Sequence, residues 1–412
     1  MKLPRILYFL SFIILVVCSK PELQNGVDVL FKDNFDLIKG KRVGLVCNHT
    51  ALLKNGTHLV DMLENLKDVE LVSIFSPEHG FTGDIEAGER IESGQNSEKN
   101  IKIWSLYGKI TKPTEEMLEE IDVLIYDIQD IGARFYTYTS TMAMSMEAAA
   151  ENGKKFVILD RLNPIGGKII EGPVLNKGFS SFVGLFEIPV RYGLTIGEFA
   201  KMINEEGWLK NGVKADLEVV KVKNWKRSRT ALDYNLNWIK PSPNIPDIET
   251  ALIYPGLCLL EGINISEGRG TMTPFKVIGA PWIDPKRLLD ELENFNIKGV
   301  KFENIEYIPE DIKGMAVNPK YEGEICRGIK ISVTNPAVFK SLYNGICIIY
   351  SIRKLFPEEF QWRKSLYIDK LWGSDSFRKM IDEQKTPEEI IRFYNKELES
   401  FNTFREKYLL YN

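Results

Sequence analysis

Residues 42–50 read RVGLVCNHT and residues 69–81 read VELVSIFSPEHGF: two short apolar runs rich in β-branched side chains, each ending abruptly in polar residues. An apolar run with little polar alternation is what a strand buried on both faces requires. Further runs stand at 101–106, 123–128 (VLIYDI) and 156–159 (FVIL). Between them, helical spacing occupies 57–65, 114–120 and 137–152, the last stopped by Gly153. Another helix fits 195–206, where Thr195 and Glu198 have the spacing of a capping box. Strands alternating with helices predict an α/β fold built on a Rossmann-like, doubly wound parallel sheet with helices on both faces.

The chain has 412 residues, more than one compact core usually holds, so two domains are expected. The reading is a Rossmann-like domain over 23–210, a boundary in the Gly-, Asn- and Lys-containing stretch 207–216, and a smaller mixed α/β domain over 217–412. In that second half, 241–285 reads as a long loop punctuated by Pro and Gly. Helices are expected at 285–293, 336–355, 374–383 and 387–411, and strands at 301–308 and 328–333. With 44% hydrophobic and 27% charged residues, neither a disordered chain nor a polytopic membrane protein fits. The net charge of -4 supplies no field for a polyanion, so no nucleic acid partner is expected. The one basic run, KVKNWKRSR at 221–229, suits a solvated strand or loop face better than a polyanion site.

The amino end departs from this average. Lys2 and Arg5 precede an apolar run over residues 6–17 interrupted only by Ser11, and Cys18 follows. That is the pattern of a signal peptide over residues 1–18, too short to span a bilayer, and it predicts export. Leu15-Val16-Val17-Cys18 resembles a lipobox with Val17 in place of the usual small residue, which leaves two forms open: a protein lipidated at Cys18 and membrane-attached, or one simply released. Cys47, Cys258, Cys326 and Cys347 form no C-x-x-C pair, and no disulfide framework is expected.

In a parallel sheet, ligands bind at the carboxyl ends of the strands. Four of the apolar runs end in polar clusters: Asn48-His49-Thr50, Ser76-Pro77-Glu78-His79, Asp127-Ile128-Gln129-Asp130 with Arg134, and Asp160-Arg161-Leu162-Asn163. Individually such residues cap helices; four clusters together point to a site. No G-x-G-x-x-G, phosphate loop or G-x-S-x-G is present, and the three histidines lack metal-ligand spacing. Carboxylates are therefore the best source of acid–base chemistry: Glu78 beside His79, Glu171 between apolar residues and a turn, and Glu261 and Glu267 in a glycine-containing stretch. A pair of carboxyl groups across a cleft is what glycoside hydrolysis uses, although any single Glu is equally well a surface or salt-bridged group.

Seven segments, taken in order, carry more. They are 76–81 (SPEHGF), 127–138 (DIQDIGARFYTY), 159–165 (LDRLNPI), 171–175 (EGPVL), 241–246 (PSPNIP), 254–256 (YPG) and 261–271 (EGINISEGRGT). Together they resemble the bacterial family formerly known only as a domain of unknown function, whose characterised members are NamZ-type exo-β-N-acetylmuramidases. The resemblance implies a Rossmann-like domain plus a smaller one with the site in the cleft between them, no metal or redox cofactor, and peptidoglycan fragments as substrate. The activity implied is removal of N-acetylmuramic acid from their non-reducing ends. It also implies Glu78 as the main catalytic carboxylate, with Glu171 and then Glu267 as candidate partners and His79 orienting Glu78.

The lactyl carboxylate of N-acetylmuramic acid calls for a cation, for which Arg134, Arg161 and Arg269 stand in motif segments. Asn48, Asp127 and Asn244 are candidate contacts to hydroxyl or acetamido groups, with helix capping and turn formation as their plainer roles. The expectation is an exported exo-muramidase acting in the periplasm or cell envelope. A non-catalytic muropeptide-binding lipoprotein and a sugar esterase or deacetylase are the alternatives.

Overall fold

The structure, a computed structural model, describes residues 22–85, 94–95, 101–234 and 236–412. The segment 1–18 read as a signal peptide, with its Cys18, lies outside the described residues.

Among the described residues, the first half carries β1 (Lys41–Cys47), β2 (Val69–Ser76), β3 (Gly94–Gln95), β4 (Lys102–Ser105), β5 (Val123–Asp127), β6 (Lys155–Leu159), β7 (Glu171–Val174), β8 (Pro189–Arg191) and β9 (Asp216–Val220). Its helices are α1 (Gly26–Asp33), α2 (Leu59–Glu64), α3 (Glu115–Leu118), α4 (Tyr138–Glu151) and α5 (Ile196–Glu205). The main sheet has the order β3-β4-β2-β1-β5-β6-β9, parallel throughout except for β3. The doubly wound reading is thus realised, and the alternation of side chains shows why. Val43, Leu45, Cys47, Val123, Ile125, Val157 and Leu159 point into one apolar layer with α1 and α2. Val46, Leu124, Tyr126, Phe156 and Ile158 point into the other, against α4 and α5. Each fully buried Leu, Ile or Phe contributes about 1.5–3 kcal/mol, so both layers are needed to hold the sheet.

The second half contributes β10 (Val277–Ala280), β11 (Val300–Tyr307) and β12 (Cys326–Val333) as a small antiparallel sheet, order β10-β12-β11. Around it lie α6 (Ile248–Leu257), α7 (Pro285–Leu292), α8 (Ser341–Leu355), α9 (Tyr367–Trp372), α10 (Ser376–Asp382) and α11 (Pro387–Arg405). Its apolar residues, among them Leu252, Ile278, Ile346 and Trp372, belong to the same continuous cluster as the α4–α5 layer. The two halves therefore share one core.

Two expectations differ from what is observed. The stretch 207–216 is no linker but the end of a crossover from α5, because β9 completes the large sheet beside β6. The segment expected to be a loop from 241 contains α6, a helix buried at every position but Glu249, with Pro255 near its carboxyl end. Gly256 explains the local sequence: a Cβ there would lie 1.9 Å from the Ser341 carbonyl oxygen, so glycine lets α6 cross the start of α8. The cysteines at 47, 258, 326 and 347 are free and buried. Among the described residues, no helix is long and apolar enough to cross a membrane.

Candidate active site

A cavity of about 570 Å3 opens between the two halves, within the roughly 300–1,000 Å3 of small-molecule sites. Its walls come from the turn after β2, the entry to α4, the 242–245 segment, the loop after α6 and residues 316–320, with Arg363 and Tyr367 closing it. Of the residues singled out from sequence, Glu78, His79, Asn244, Glu261, Glu267 and Arg269 line this cavity.

Glu78 follows β2 and is 8% exposed. The turn that presents it is unusual, since His79 (φ 70°) and Gly80 (φ 75°) are both left-handed. For a non-glycine residue that backbone costs about 1–2 kcal/mol, and such strain clusters at functional sites. Thr137 stands at the amino end of α4, yet its hydroxyl does not cap the helix; it donates to Glu78 Oε2 at 2.6 Å. The carboxyl thus sits against the positive end of a helix. His79 Nδ1 lies 2.7 Å from the Ile85 carbonyl oxygen, which can only accept, so Nδ1 carries the proton and Nε2 keeps its lone pair. Burial pushes the His79 imidazole below its ordinary value, outweighing the adjacent Glu78, so it is neutral at pH 7.

The opposite wall holds a charged cluster. Lys320 Nζ donates to Glu267 Oε2, to the Leu260 carbonyl and to the Ile265 carbonyl, each at 2.9 Å. Arg269 reaches Glu261 Oε1 at 2.8 Å and Glu267 Oε1 at 3.4 Å, with its guanidinium 5.3 Å from the centre of the Phe275 ring. Burial alone would raise the Glu267 carboxyl, but Lys320 and Arg269 together outweigh it and hold the group below its usual range. Glu267 is an ionised carboxylate, not a proton donor. Tyr254 packs edge-on against Phe135 and Phe275 at 5.5 and 5.0 Å, an aromatic floor beneath these charges.

Asn244 is 3% exposed; its Nδ2 donates to the Met315 carbonyl at 2.7 Å, and its Oδ1 has no partner among the described residues. Asn48 acts at one remove. Its Nδ2 donates to the Tyr138 hydroxyl at 3.0 Å, and that hydroxyl donates to the Pro241 carbonyl at 2.7 Å, which seats the 241–246 segment. Its Oδ1 accepts from the Thr50 amide at 3.0 Å and hydroxyl at 2.6 Å.

The other expected residues lie elsewhere, for identifiable reasons. Glu171 is buried against Arg191 Nη1 at 3.4 Å and accepts the Leu342 amide at 3.2 Å, so it anchors the start of α8 and does not face Glu78. Asp127 and Arg161 form a buried two-pronged pair at 2.5 and 2.9 Å. Arg161 lines a separate cavity of about 310 Å3 with Thr50, Gln129 and Trp238. Arg134, 1% exposed, gives its guanidinium to four carbonyls: Pro173, Ile188, Leu371 and Trp372, at 2.9, 2.7, 3.0 and 2.7 Å. It fastens β7 and β8 to the carboxyl end of α9. Sequence reasoning missed Thr137, Lys320, Arg363 and Tyr367 as parts of the site, and only Thr137 falls in a motif segment. No group of three or more His, Cys, Asp or Glu suited to a metal ion occurs among the described residues.

A doubly wound α/β half and a smaller α/β half, sharing one core and enclosing a carboxylate-lined cleft, define a two-part cleft protein with Glu78 and His79 on one wall and a charged cluster on the other. Family models described as exo-beta-N-acetylmuramidase NamZ, N-terminal and C-terminal, match residues 43–249 and 252–411, and the chain belongs to that family. It is 42% identical to the peptidoglycan beta-N-acetylmuramidase NamZ of Bacillus subtilis (strain 168) over 393 residues, 95% of this chain and 92% of that protein. Two solved DUF1343 family proteins from Bacteroides fragilis NCTC 9343 share the fold, with TM-scores of 0.87 and 0.76 at 35% and 33% identity. Each comparison covers 95% of this chain and 99% of the other.

Proposed function

We propose that this protein is an exo-β-N-acetylmuramidase that hydrolyses the bond joining a terminal, non-reducing N-acetylmuramic acid to the rest of a peptidoglycan fragment, with Glu78 as principal catalytic carboxyl group. The observation that carries this reading is the setting of Glu78: on the wall of the cleft, fixed by the Thr137 hydroxyl, beside a neutral His79. The 42% identity to a peptidoglycan beta-N-acetylmuramidase supports the same chemistry.

Glycoside hydrolysis needs a proton for the departing oxygen and negative charge near the oxocarbenium-like carbon. In this reading Glu78 handles the proton, with His79 Nε2 as the adjacent acceptor. Glu267, kept ionised by Lys320 and Arg269, supplies fixed negative charge to the same space. The buried, unpartnered Oδ1 of Asn244 suits the N–H of the acetamido group. The apolar run over residues 6–17 and Cys18 support export to the cell envelope, either lipidated at Cys18 or released.

The test is incubation of the protein with a chromogenic β-N-acetylmuramide beside the matching β-N-acetylglucosaminide. Release from the muramide, falling at least 100-fold in Glu78→Gln with binding retained, is the expected result. Binding without release in the unmodified protein refutes the reading and leaves a non-catalytic muropeptide binder.

A further inference from the structure

We propose that Arg363 reads the lactyl carboxylate of the muramic acid ring, and so is the residue that separates N-acetylmuramic acid from N-acetylglucosamine. The inference rests on the muramidase reading above and deepens it.

Among the described residues, three cations line the cavity: Arg269, Lys320 and Arg363. The first two are already committed. Lys320 spends all three N–H groups on Glu267 and two backbone carbonyls, and Arg269 lies between Glu261 and Glu267. Their two positive charges are matched by those two carboxylates. Neither cation is left free to answer an anionic sugar, so a carboxylate entering the cleft calls for a further one.

Arg363 is that cation. It is exposed at the cavity rim and makes no ion pair with the described residues. Its position is nevertheless fixed, by its backbone N–H to the Gly262 carbonyl at 2.8 Å and by the adjacent bridge between Ile263 and Trp362. Its Nη1 donates to the Glu261 carbonyl at 3.3 Å, which turns the guanidinium toward the loop after α6. The Nε and Nη2 donors have no partner among the described residues, and two adjacent N–H groups on a planar fork are what a carboxylate accepts two-pronged. N-acetylglucosamine carries no carboxylate and gains nothing from this contact.

The experiment compares a chromogenic β-N-acetylmuramide with its lactyl methyl ester, the same sugar without the negative charge, on the unmodified protein, Arg363→Met and Arg363→Lys. The unmodified protein is expected to prefer the acid by about 10- to 100-fold in kcat/KM, mostly through KM, the range for hydrogen bonds to a charged group. Arg363→Met should treat acid and ester alike, and Arg363→Lys should restore part of the preference. A preference that survives in Arg363→Met, or an unmodified protein with none, overturns the proposal.

If the unmodified protein hydrolyses neither compound, the muramidase reading has failed, and Arg363 is judged by calorimetric binding of free N-acetylmuramic acid against N-acetylglucosamine. Selectivity that is lost in Arg363→Met supports the carboxylate site; equal binding of the two sugars overturns it. Unchanged thermal unfolding of Arg363→Met, expected for an exposed side chain, separates recognition from folding.

Discussion

Arg134 lies in one of the family's motif segments and carries the charge a muramic acid site wants, yet the structure makes it a structural clamp, and the two roles predict opposite outcomes for Arg134→Met. Its guanidinium makes four hydrogen bonds to backbone carbonyls. At about 1.5–3 kcal/mol net for each bond to a charged donor, four independent bonds would contribute about 6–12 kcal/mol. Bonds that share one guanidinium do not add in full, and burial, which lowers the Arg134 guanidinium to about 9, works against the charged form. About 3–5 kcal/mol is the expected loss of stability in Arg134→Met, since methionine fills part of the space and donates nothing to the carbonyls. Urea unfolding followed by tryptophan fluorescence reads that loss. Steady-state kinetics on the muramide, well below the variant's transition temperature, should give a KM within about twofold of the unmodified protein because Arg134 does not line the cleft. Unchanged stability with a KM raised tenfold or more would refute the reasoning and return Arg134 to the substrate.

Glu267→Gln should destabilise the protein by about 3–5 kcal/mol, because Lys320 and Arg269 stay half-buried with one carboxylate fewer, and adding Lys320→Met should recover part of the loss; a double-mutant cycle in urea gives the coupling. For His79, burial sets the folded value below the unfolded 6.5, so between those values the unfolded chain binds more protons. Stability is therefore complete above about pH 6.5 and declines as the pH falls through the window below it. His79→Gln should flatten that decline without removing it, since burial lowers His49 in the same direction; an unaltered acid slope counts against a buried neutral His79.

The large sheet was legible because its strands are buried on both faces: apolar runs such as VLIYD over β5 leave no other placement, and the polar residues at their ends mark where the chain turns toward the ligand side. α6 was illegible for the converse reason. A helix enclosed on nearly every side has no polar stripe to set its period, and Pro255 reads locally as a loop signal although it falls near the helix end. Glu78, His79, Glu267 and Arg269 stand in motif segments and line the cavity, but other segments of the same set contain Arg134, Arg161 and Glu171, whose charges are consumed inside the protein. Membership of a motif does not separate a side chain that holds the scaffold from one that meets the ligand. Lys320 and Arg363 carry no local signal, since each becomes part of the site only through packing against the loop after α6.

The division of charges explains why both halves and one shared core are needed. Glu78 is held by the first half through a neutral hydroxyl donor, whereas Glu267 is held by the second half between two cations. Burying Glu261, Glu267, Arg269 and Lys320 together gains little for stability over apolar packing, so their arrangement is better understood through the field they impose on the cavity than through the fold. That field acts on Glu78 only while the two walls keep their spacing. The apolar cluster running from the α4–α5 layer into α6 and α8 fixes that spacing, which ties the electrostatics of the cavity to the continuous core.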